Sequence, residues 1–391
     1  MEPKSVRIEK SGRFIFSQTL DLGKIESRVL GLINSLANDE KQLLEFSEVD
    51  QQILKKLSSC LKLSNENEHI NFFDDESFIL SRQETEWISK SPDYEIAEYL
   101  IYRYKFRNWP RKKVLSDFPI HLLIEPTSVC NIRCVMCFQV DKSFAQKEYM
   151  GRMPIDMFMK VIDEAAVNSC KAVTLASRGE PTLHKDLPEM LGYISKKGFL
   201  DLKLNTNATK LTEDLSRSIL QSGVNELVFS VDAGTKATYE TIRVGGKFDS
   251  VVENINQFNE IRKNEFPNSR TVTRISGVLV NDSQDIDQMA SFWSERVDEV
   301  TIKPATPRWD SYNNELTHRL ESCELLWERL YVWYDGKINP CDFDYKSFLS
   351  VGRFGEVSIK DAWTGKGYSR LREMHSQEKR GKLTPCDRCP L

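Results

Sequence analysis

The chain has 391 residues, a formal net charge of −4 and a pI near 5.9. Its 40% hydrophobic, 10% aromatic and 29% charged residues describe a globular chain able to bury a full-sized core in two or three domains, which excludes a disordered one. The mild acidity gives no global basic field for nucleic acid, no apolar run approaches the roughly 20 residues that span a bilayer, and the polar start MEPKSVRIEK is unlike a signal peptide, so a cytoplasmic location is expected.

Over the first 113 residues, SVRIE and RFIFS alternate like two strands around Ser11 and Gly12. Apolar positions then recur at helical spacing: Ile25, Val29, Leu32, Ile33 and Leu36, followed by Leu43, Leu44, Ile53 and Leu57. A small, mostly helical module is expected, with SNENEH (64–69) as a surface loop. The basic run YRYKFRNWPRKKV (102–114), with aromatics between its cations, reads as a solvated linker in preference to an RNA contact.

From 114 to 310, short apolar runs alternate with helix-period segments. Strands are expected at HLLIE (121–125), AVTLA (172–176), DLKLN (201–205), ELVFS (226–230), TRISGVLV (273–280) and EVTIK (299–303). In PIDMFMKVIDEAA, Pro154 suits a first helical turn, and Ile155, Phe158, Val161, Ile162 and Ala165 fall on one face. Consecutive βα units imply a parallel sheet. Six are too few for the eight-stranded barrel but fit an open, partial (β/α)6 TIM-like barrel, whose ligands gather at the carboxyl ends of the strands.

Of nine cysteines, Cys60 and Cys170 stand alone and read as buried small hydrophobes. The rest form two groups, which in a reducing compartment point to metal or redox chemistry. In EPTSVCNIRCVMCFQ (125–139), Cys130, Cys134 and Cys137 follow directly on the first barrel strand. Three thiolates from one loop can hold three corners of a cubane iron–sulfur cluster and leave the fourth iron open. A structural zinc site needs a fourth protein ligand from elsewhere.

The spacing Cys130-x3-Cys134-x2-Cys137, followed by a partial barrel, resembles the radical S-adenosylmethionine (SAM) superfamily over roughly residues 119 to 305. The resemblance implies that SAM binds the open iron of a [4Fe–4S] cluster through its amino and carboxylate groups. Reduction, by a flavodoxin- or ferredoxin-type partner, then splits it to methionine and a 5′-deoxyadenosyl radical. Met136 stands where the family usually has an aromatic, beside the adenine. SRGEPTLHKDL (177–187) is similar to the family's Gly-Gly-Glu-Pro segment, which receives the SAM ammonium: Gly179, Glu180 and Pro181 match, and Arg178 replaces the first glycine. By the same resemblance Asn205, Asn207, Ser230 and Asp232, at the tips of the third and fourth strands, line the ribose and methionine, although each also fits a turn cap. Arg274 on the fifth strand fits either the SAM carboxylate or an ion pair.

Near the end, Cys323-x12-Gly336-x4-Cys341 precedes Cys386-x2-Cys389, with YVWYDGKINP expected as a hairpin turning at Asp335-Gly336. VSIKDAWTGKGYSRLREMH is expected as a turn and one amphipathic helix. Over 311–391 this resembles the SPASM and twitch extensions of radical SAM enzymes, and four cysteines match the twitch form with one auxiliary [4Fe–4S] cluster. Such a cluster is saturated by thiolates and serves to move electrons. A four-cysteine zinc ribbon is the competing assignment. Trp327, Tyr331, Trp333, Tyr334, Phe343 and Tyr345 are expected in the core, and the isolated His121 and His184 read as structural.

A carbon radical beside an electron acceptor favours oxidation. We therefore expect a dehydrogenase-type oxidoreductase converting an alcohol, on a sugar or cyclitol for instance, to a carbonyl. Arg308, Asp310 and Tyr312, past the sixth strand, are candidate substrate contacts or else linker residues. The alternatives are a maturase acting on a precursor peptide and a non-catalytic iron–sulfur or zinc scaffold.

Overall fold

The computed structural model describes residues 5–9, 12–17, 19–63, 77–306 and 308–391. In chain order, β1 (Ser5–Glu9) and β2 (Gly12–Phe16) lead into α1 (Leu22–Asn38), α2 (Glu40–Leu43), α3 (Glu48–Cys60), β3 (Leu61–Leu63), β4 (Phe78–Leu80), α4 (Arg82–Ser89) and α5 (Asp93–Asn108). Then follow β5 (His121–Ile124), β6 (Arg133–Cys134), α6 (Ile155–Val167), β7 (Ala172–Leu175), α7 (Leu187–Ile194), β8 (Asp201–Thr206) and α8 (Glu213–Gln221). Next are β9 (Glu226–Ser230), α9 (Lys236–Ile242), β10 (Arg243–Val244), α10 (Phe248–Glu265), β11 (Val272–Leu279), α11 (Ile286–Ser294) and β12 (Glu299–Pro304). The C-terminal part holds α12 (Leu325–Glu328), β13 (Arg329–Val332), β14 (Lys337–Asn339), β15 (Gly352–Arg353), α13 (Ile359–Thr364) and α14 (Lys366–Ser376).

The chain divides into two compact units, 18–112 and the remainder. Unit 18–112 packs α1 through the buried Ile25, Val29 and Ile33 against α3, which buries Ile53, Leu54, Leu57 and Cys60. Leu44, expected on the apolar face, is 77% exposed because α2 ends one residue before it. The basic run is no linker at its start: Tyr102 to Asn108 are the last turns of α5, Tyr102 is buried, and Arg103 Nε meets Glu84 Oε1 at 2.6 Å. The expected SNENEH loop lies outside the described residues.

In the larger unit, β5, β7, β8, β9, β11 and β12 pair in parallel, each beside the next. The reason is legible in the strands: AVTL is buried on both faces and DLKLNT alternates buried and half-buried, so each strand needs a helix layer over it. Phe158, Val161, Ile162 and Ala165 of α6 are buried as expected, with Pro154 standing just before the helix. They join Leu122, Val173, Leu204, Phe229, Ile275 and Ile302 in one continuous core. Truncating any of these large side chains to alanine costs about 2–5 kcal/mol.

The sheet does not stop at the barrel strands. β2 pairs antiparallel with β12, Phe14 opposite Thr301, so the N-terminal hairpin extends one edge. At the other edge β13 pairs in parallel with β5, Arg329 opposite His121, and the β13–β14 hairpin carries the ladder on to β15. The hairpin turns at Gly336, whose φ of +84° suits a residue without Cβ. The segment after it forms two helices, α13 and α14, where a turn and a single helix were expected. Among the described residues no helix is long and apolar enough to cross a membrane.

Candidate active site

The carboxyl ends of the parallel strands open on a cavity of about 420 Å³, lined by Cys130, Cys134 and Cys137 together with loops from the other strands. A cavity of this size takes a small ligand. The cysteine loop is pinned from several sides. Thr127 Oγ1 donates to Gly151 O at 2.8 Å, Gly151 N donates to Ser128 Oγ at 2.9 Å, and Cys134 in β6 pairs with Arg243 in β10. Gln139 Nε2 bridges two strand-end loops by donating to Ser128 O at 2.8 Å and Arg178 O at 2.6 Å.

Each thiol of the loop has its own N–H donor. Asn207 Nδ2 lies 3.9 Å from Cys130 Sγ, Arg243 Nη1 3.6 Å from Cys134 Sγ, and the Gln139 backbone N–H 3.5 Å from Cys137 Sγ. Burial pushes the thiols up, Cys130 to about 11 and Cys137 to about 12, with Cys134 raised as well. They keep their protons at neutral pH, and metal binding releases them. The three donors stabilise the thiolate sulfurs that a bound cluster needs.

Three other atoms are unpaired. Gln139 Oε1, Ser177 Oγ and Asn205 Oδ1 are buried, lack hydrogen-bond partners within the protein, and belong to residues lining the cavity. Unpaired buried acceptors are costly and call for donors from a ligand. Ser177 also has a φ of +115°, rare for a residue with a Cβ. Two residues on, a Cβ on Gly179 would come within 2.2 Å of Thr127 O, so only glycine lets these loops touch.

The sequence-derived candidates divide. Met136, Gly179, Glu180, Asn205, Asn207, Ser230 and Arg308 line the cavity; Asp232, Arg274, Asp310 and Tyr312 do not. Glu180 is buried, and its carboxylate accepts from Thr206 Oγ1 at 2.7 Å, Thr182 Oγ1 at 2.7 Å and Asn207 N at 2.7 Å, which ties the β7 loop to the end of β8. Asp232 lies behind the wall, paired with Arg243 at 2.7 Å. Arg274 pairs with Glu226 at 2.8 Å near the amino ends of β11 and β9. Val278 is the β11 residue at the mouth, about 13 Å further along at 3.3 Å per residue. Tyr312 donates to Asp344 at 2.8 Å, and Asp310 accepts from Asn313 Nδ2 at 2.7 Å.

Arg178, the departure from the glycine pattern, lies in the wall as a buried cation. Nε and Nη2 reach Glu125 at 2.7 and 2.5 Å, Nη1 donates to Tyr345 O at 2.8 Å, and the guanidinium stacks 4.3 Å from the Trp333 ring. It thus joins the β7 loop to the C-terminal region. Sequence reasoning missed Gln139, Ser177 and Arg243. Their roles depend on where loop side chains point, for which residue spacing carries no signal.

Cys323, Cys341, Cys386 and Cys389 converge. Cys341 feels the charge of Cys386 and Cys323, and Cys386 that of Cys323 and Cys389. Among the described residues no three His, Cys, Asp or Glu side chains close on a point as ligands of one ion do. Around one zinc the sulfurs would stand about 3.8 Å apart, for Zn–S bonds of about 2.3 Å; a cubane cluster carries its ligands wider apart, on its outer corners. Four convergent thiols can hold either a cluster or a zinc ion. Cys170 is buried against Ile120 O and Ala172 O, and Cys60 is buried in the other unit, so neither belongs to a site. His184 bonds Met153 O at 2.9 Å and is structural, as expected.

Two family models match this chain: the Radical SAM superfamily over residues 124–292 and the SPASM iron–sulfur cluster-binding domain over 323–390. The chain belongs to the radical SAM superfamily. As a radical SAM enzyme with a SPASM domain, it uses a [4Fe–4S] cluster with SAM and auxiliary iron–sulfur chemistry. It is similar to the tungsten-containing aldehyde ferredoxin oxidoreductase cofactor-modifying protein of Pyrococcus furiosus, with 24% identity over 64% of this chain and 83% of the relative. Among solved structures, SuiB of Streptococcus suis bound to the precursor peptide SuiA aligns over 99% of this chain and 98% of its own, with a TM-score of 0.55 and 15% identity. The anSMEcpe structure with bound AdoMet aligns over 69% of this radical SAM chain and 87% of its own, with a TM-score of 0.51 and 15% identity. At such identities these structures show the shared fold.

Proposed function

We propose that this radical SAM enzyme oxidises an alcohol on a small hydroxylated molecule to a carbonyl. Cys130, Cys134 and Cys137 are its cluster ligands for SAM, and Cys323, Cys341, Cys386 and Cys389 hold one auxiliary cluster. The observation that carries this reading is Arg308. It lines the cavity, feels the charge of Cys137, and is ion-paired with Asp342, the neighbour of Cys341. A substrate held at Arg308 faces both cysteine groups.

When bound, the first cluster and SAM supply a hydrogen-abstracting 5′-deoxyadenosyl radical, and the auxiliary cluster supplies an acceptor for one electron. The protein positions and holds protons. Gln139 Oε1, Ser177 Oγ and Asn205 Oδ1 receive the SAM ammonium and ribose hydroxyls, which need acceptors. Arg243, held through Nε by Asp232, keeps Nη1 on the Cys134 sulfur at the wall of the SAM cavity. Met136 packs at the adenine. Arg308, fixed by its ion pair with Asp342, orients the substrate hydroxyl, whose proton is released to solvent as the radical carbon loses its electron. A flavodoxin- or ferredoxin-type protein supplies the reducing electron.

The test is anaerobic turnover of reconstituted enzyme with SAM, reductant and a panel of sugars and cyclitols. One 5′-deoxyadenosine should form per carbonyl trapped with a hydrazine reagent. In Cys386→Ala, 5′-deoxyadenosine should persist while carbonyl yield falls at least tenfold. Carbonyl formation that survives intact in this variant sinks the reading. A second reading, oxidation of a side chain in a precursor peptide, is favoured by β1, which ends the sheet with an edge that pairs with no further strand among the described residues and so suits an extended peptide. A peptide panel run in parallel separates the two.

A further inference from the structure

Arg178 stands where the resembled motif has a glycine, and its side chain makes contacts that a glycine has no atoms to make. It is buried, and its backbone N–H and Nε both donate to Glu125 Oε1, at 3.2 and 2.7 Å, while Nη2 donates to Oε2 at 2.5 Å. From the opposite edge of the guanidinium, Nη1 donates to Tyr345 O at 2.8 Å. The rings of Trp333 and Phe144 lie 4.3 and 5.4 Å from its central carbon. Both anchors are themselves fixed. Glu125 is fully buried; its Oε2 accepts from Tyr334 N at 3.1 Å, and its own N–H donates to Val332 O at 2.9 Å. Tyr345 is also fully buried, stacks on Phe138 at 5.0 Å and donates through its hydroxyl to Asp141 Oδ2 at 2.8 Å. The brace therefore runs from the β7 loop to the C-terminal hairpin and to the turn that follows Cys341.

What the brace holds are two acceptors at the cavity. Ser177, joined directly to Arg178, has a φ of +115°, and a residue keeps such a backbone only where its surroundings over-determine it. Arg178 O accepts from Gln139 Nε2 at 2.6 Å, which fixes the amide whose Oε1 is buried and unpaired. Ser177 Oγ and Gln139 Oε1 are thus both set from one residue, and acceptors ordered in advance lose less freedom when a ligand arrives. We propose that Arg178 is a positioning residue for SAM: it holds the Ser177 and Gln139 acceptors in their binding geometry by bracing the β7 loop against Glu125 and the C-terminal turn at Tyr345. SAM affinity is then set partly by a region outside the cavity. This rests on the assignment of Ser177 and Gln139 to SAM, and is independent of the substrate and of which metal the C-terminal thiols hold.

The test is equilibrium dialysis of SAM against the full-length, anaerobically reconstituted protein, with iron content and melting temperature measured on each variant. Ser177→Ala removes only the hydroxyl and should weaken SAM binding about tenfold, the size of one lost buried hydrogen bond. The double variant Arg178→Met with Glu125→Gln strands no charge and leaves an acceptor for Tyr334 N, so its melting temperature should stay near that of the wild type. Its SAM binding should nevertheless fall about tenfold or more. Arg178→Lys keeps the charge, but its single nitrogen meets one edge of the fork and not both. It should bind SAM about fivefold more weakly at an unchanged melting temperature, whereas a merely structural arginine would lose affinity only in step with stability. Wild-type affinity in the iron-replete double variant overturns the proposal. So does wild-type affinity in Arg178→Lys, which decides the matter if the double variant fails to fold. Either result beside a weakened Ser177→Ala leaves the assignment of the acceptors to SAM standing. Wild-type affinity in Ser177→Ala overturns that assignment, and the proposal with it.

Discussion

At the scale of single residues, the site keeps a strained serine where a relaxed one would fold better. Ser177 occupies φ of +115° and leaves its hydroxyl oxygen unpaired at the cavity wall. Holding a residue there costs about 1–3 kcal/mol. Ser177→Gly should therefore raise the melting temperature while weakening SAM binding several-fold in isothermal calorimetry. A variant that is both unstrained and undiminished in affinity would show that the hydroxyl has no ligand role. Arg178 poses the opposite case. Removing a buried partner strands its counter-ion at a cost of about 3–5 kcal/mol, so Arg178→Gly, though it restores the family's residue, should destabilise this chain through Glu125 in denaturant melts. His375 gives a pH dependence. Its Nδ1 accepts from Cys323 N at 3.1 Å, and burial and then Arg380 lower it to about 4. A depressed histidine contributes stability above its unfolded pKa near 6.5, and that stability is lost as the pH falls towards 4. Metal-free protein should lose about 2–3 kcal/mol over this window, and His375→Gln should flatten the slope.

At the scale of elements, the barrel strands were legible to within a residue or two because each is an apolar run bounded by turn residues, buried on both faces or alternating. The hairpin at Asp335-Gly336 was legible for a local reason, a turn that needs positive φ. Less local features were not. The first two strands read as part of an N-terminal module, yet β2 hydrogen-bonds to β12, hundreds of residues away, and no short-range pattern encodes that pairing. Arg274 was misassigned although the information was present: it is the third residue of β11, near the amino end, so it could not reach a mouth at the other end. Gly179 shows that a short motif can hold tertiary information. Its missing Cβ lets the β7 loop touch Thr127 and Val129. Gly179→Ala should push these loops apart and abolish SAM binding, with iron content at Cys130, Cys134 and Cys137 falling alongside. Retained SAM affinity would mean that the loops tolerate the displacement.

At the scale of the whole molecule, the C-terminal iron–sulfur region is not an appendage. β13 continues the sheet beside β5, and both lie in one compact unit. Deleting residues 323–391 would uncover the apolar edge of β5, Leu122 to Ile124, which invites association. The shortened chain should elute as aggregate in size-exclusion chromatography; a monodisperse product would show that the barrel is self-sufficient. The same ladder has a consequence for engineering. β5 launches the loop of Cys130, and the hairpin begun by β13 leads to Cys341, so the two cysteine groups are tied to adjacent strands of one frame. Their spacing depends on strand register, Arg329 against His121. A transplant of this region from a relative would have to preserve that single alignment, because a slip of one rung would shift one centre against the other by a full residue's length.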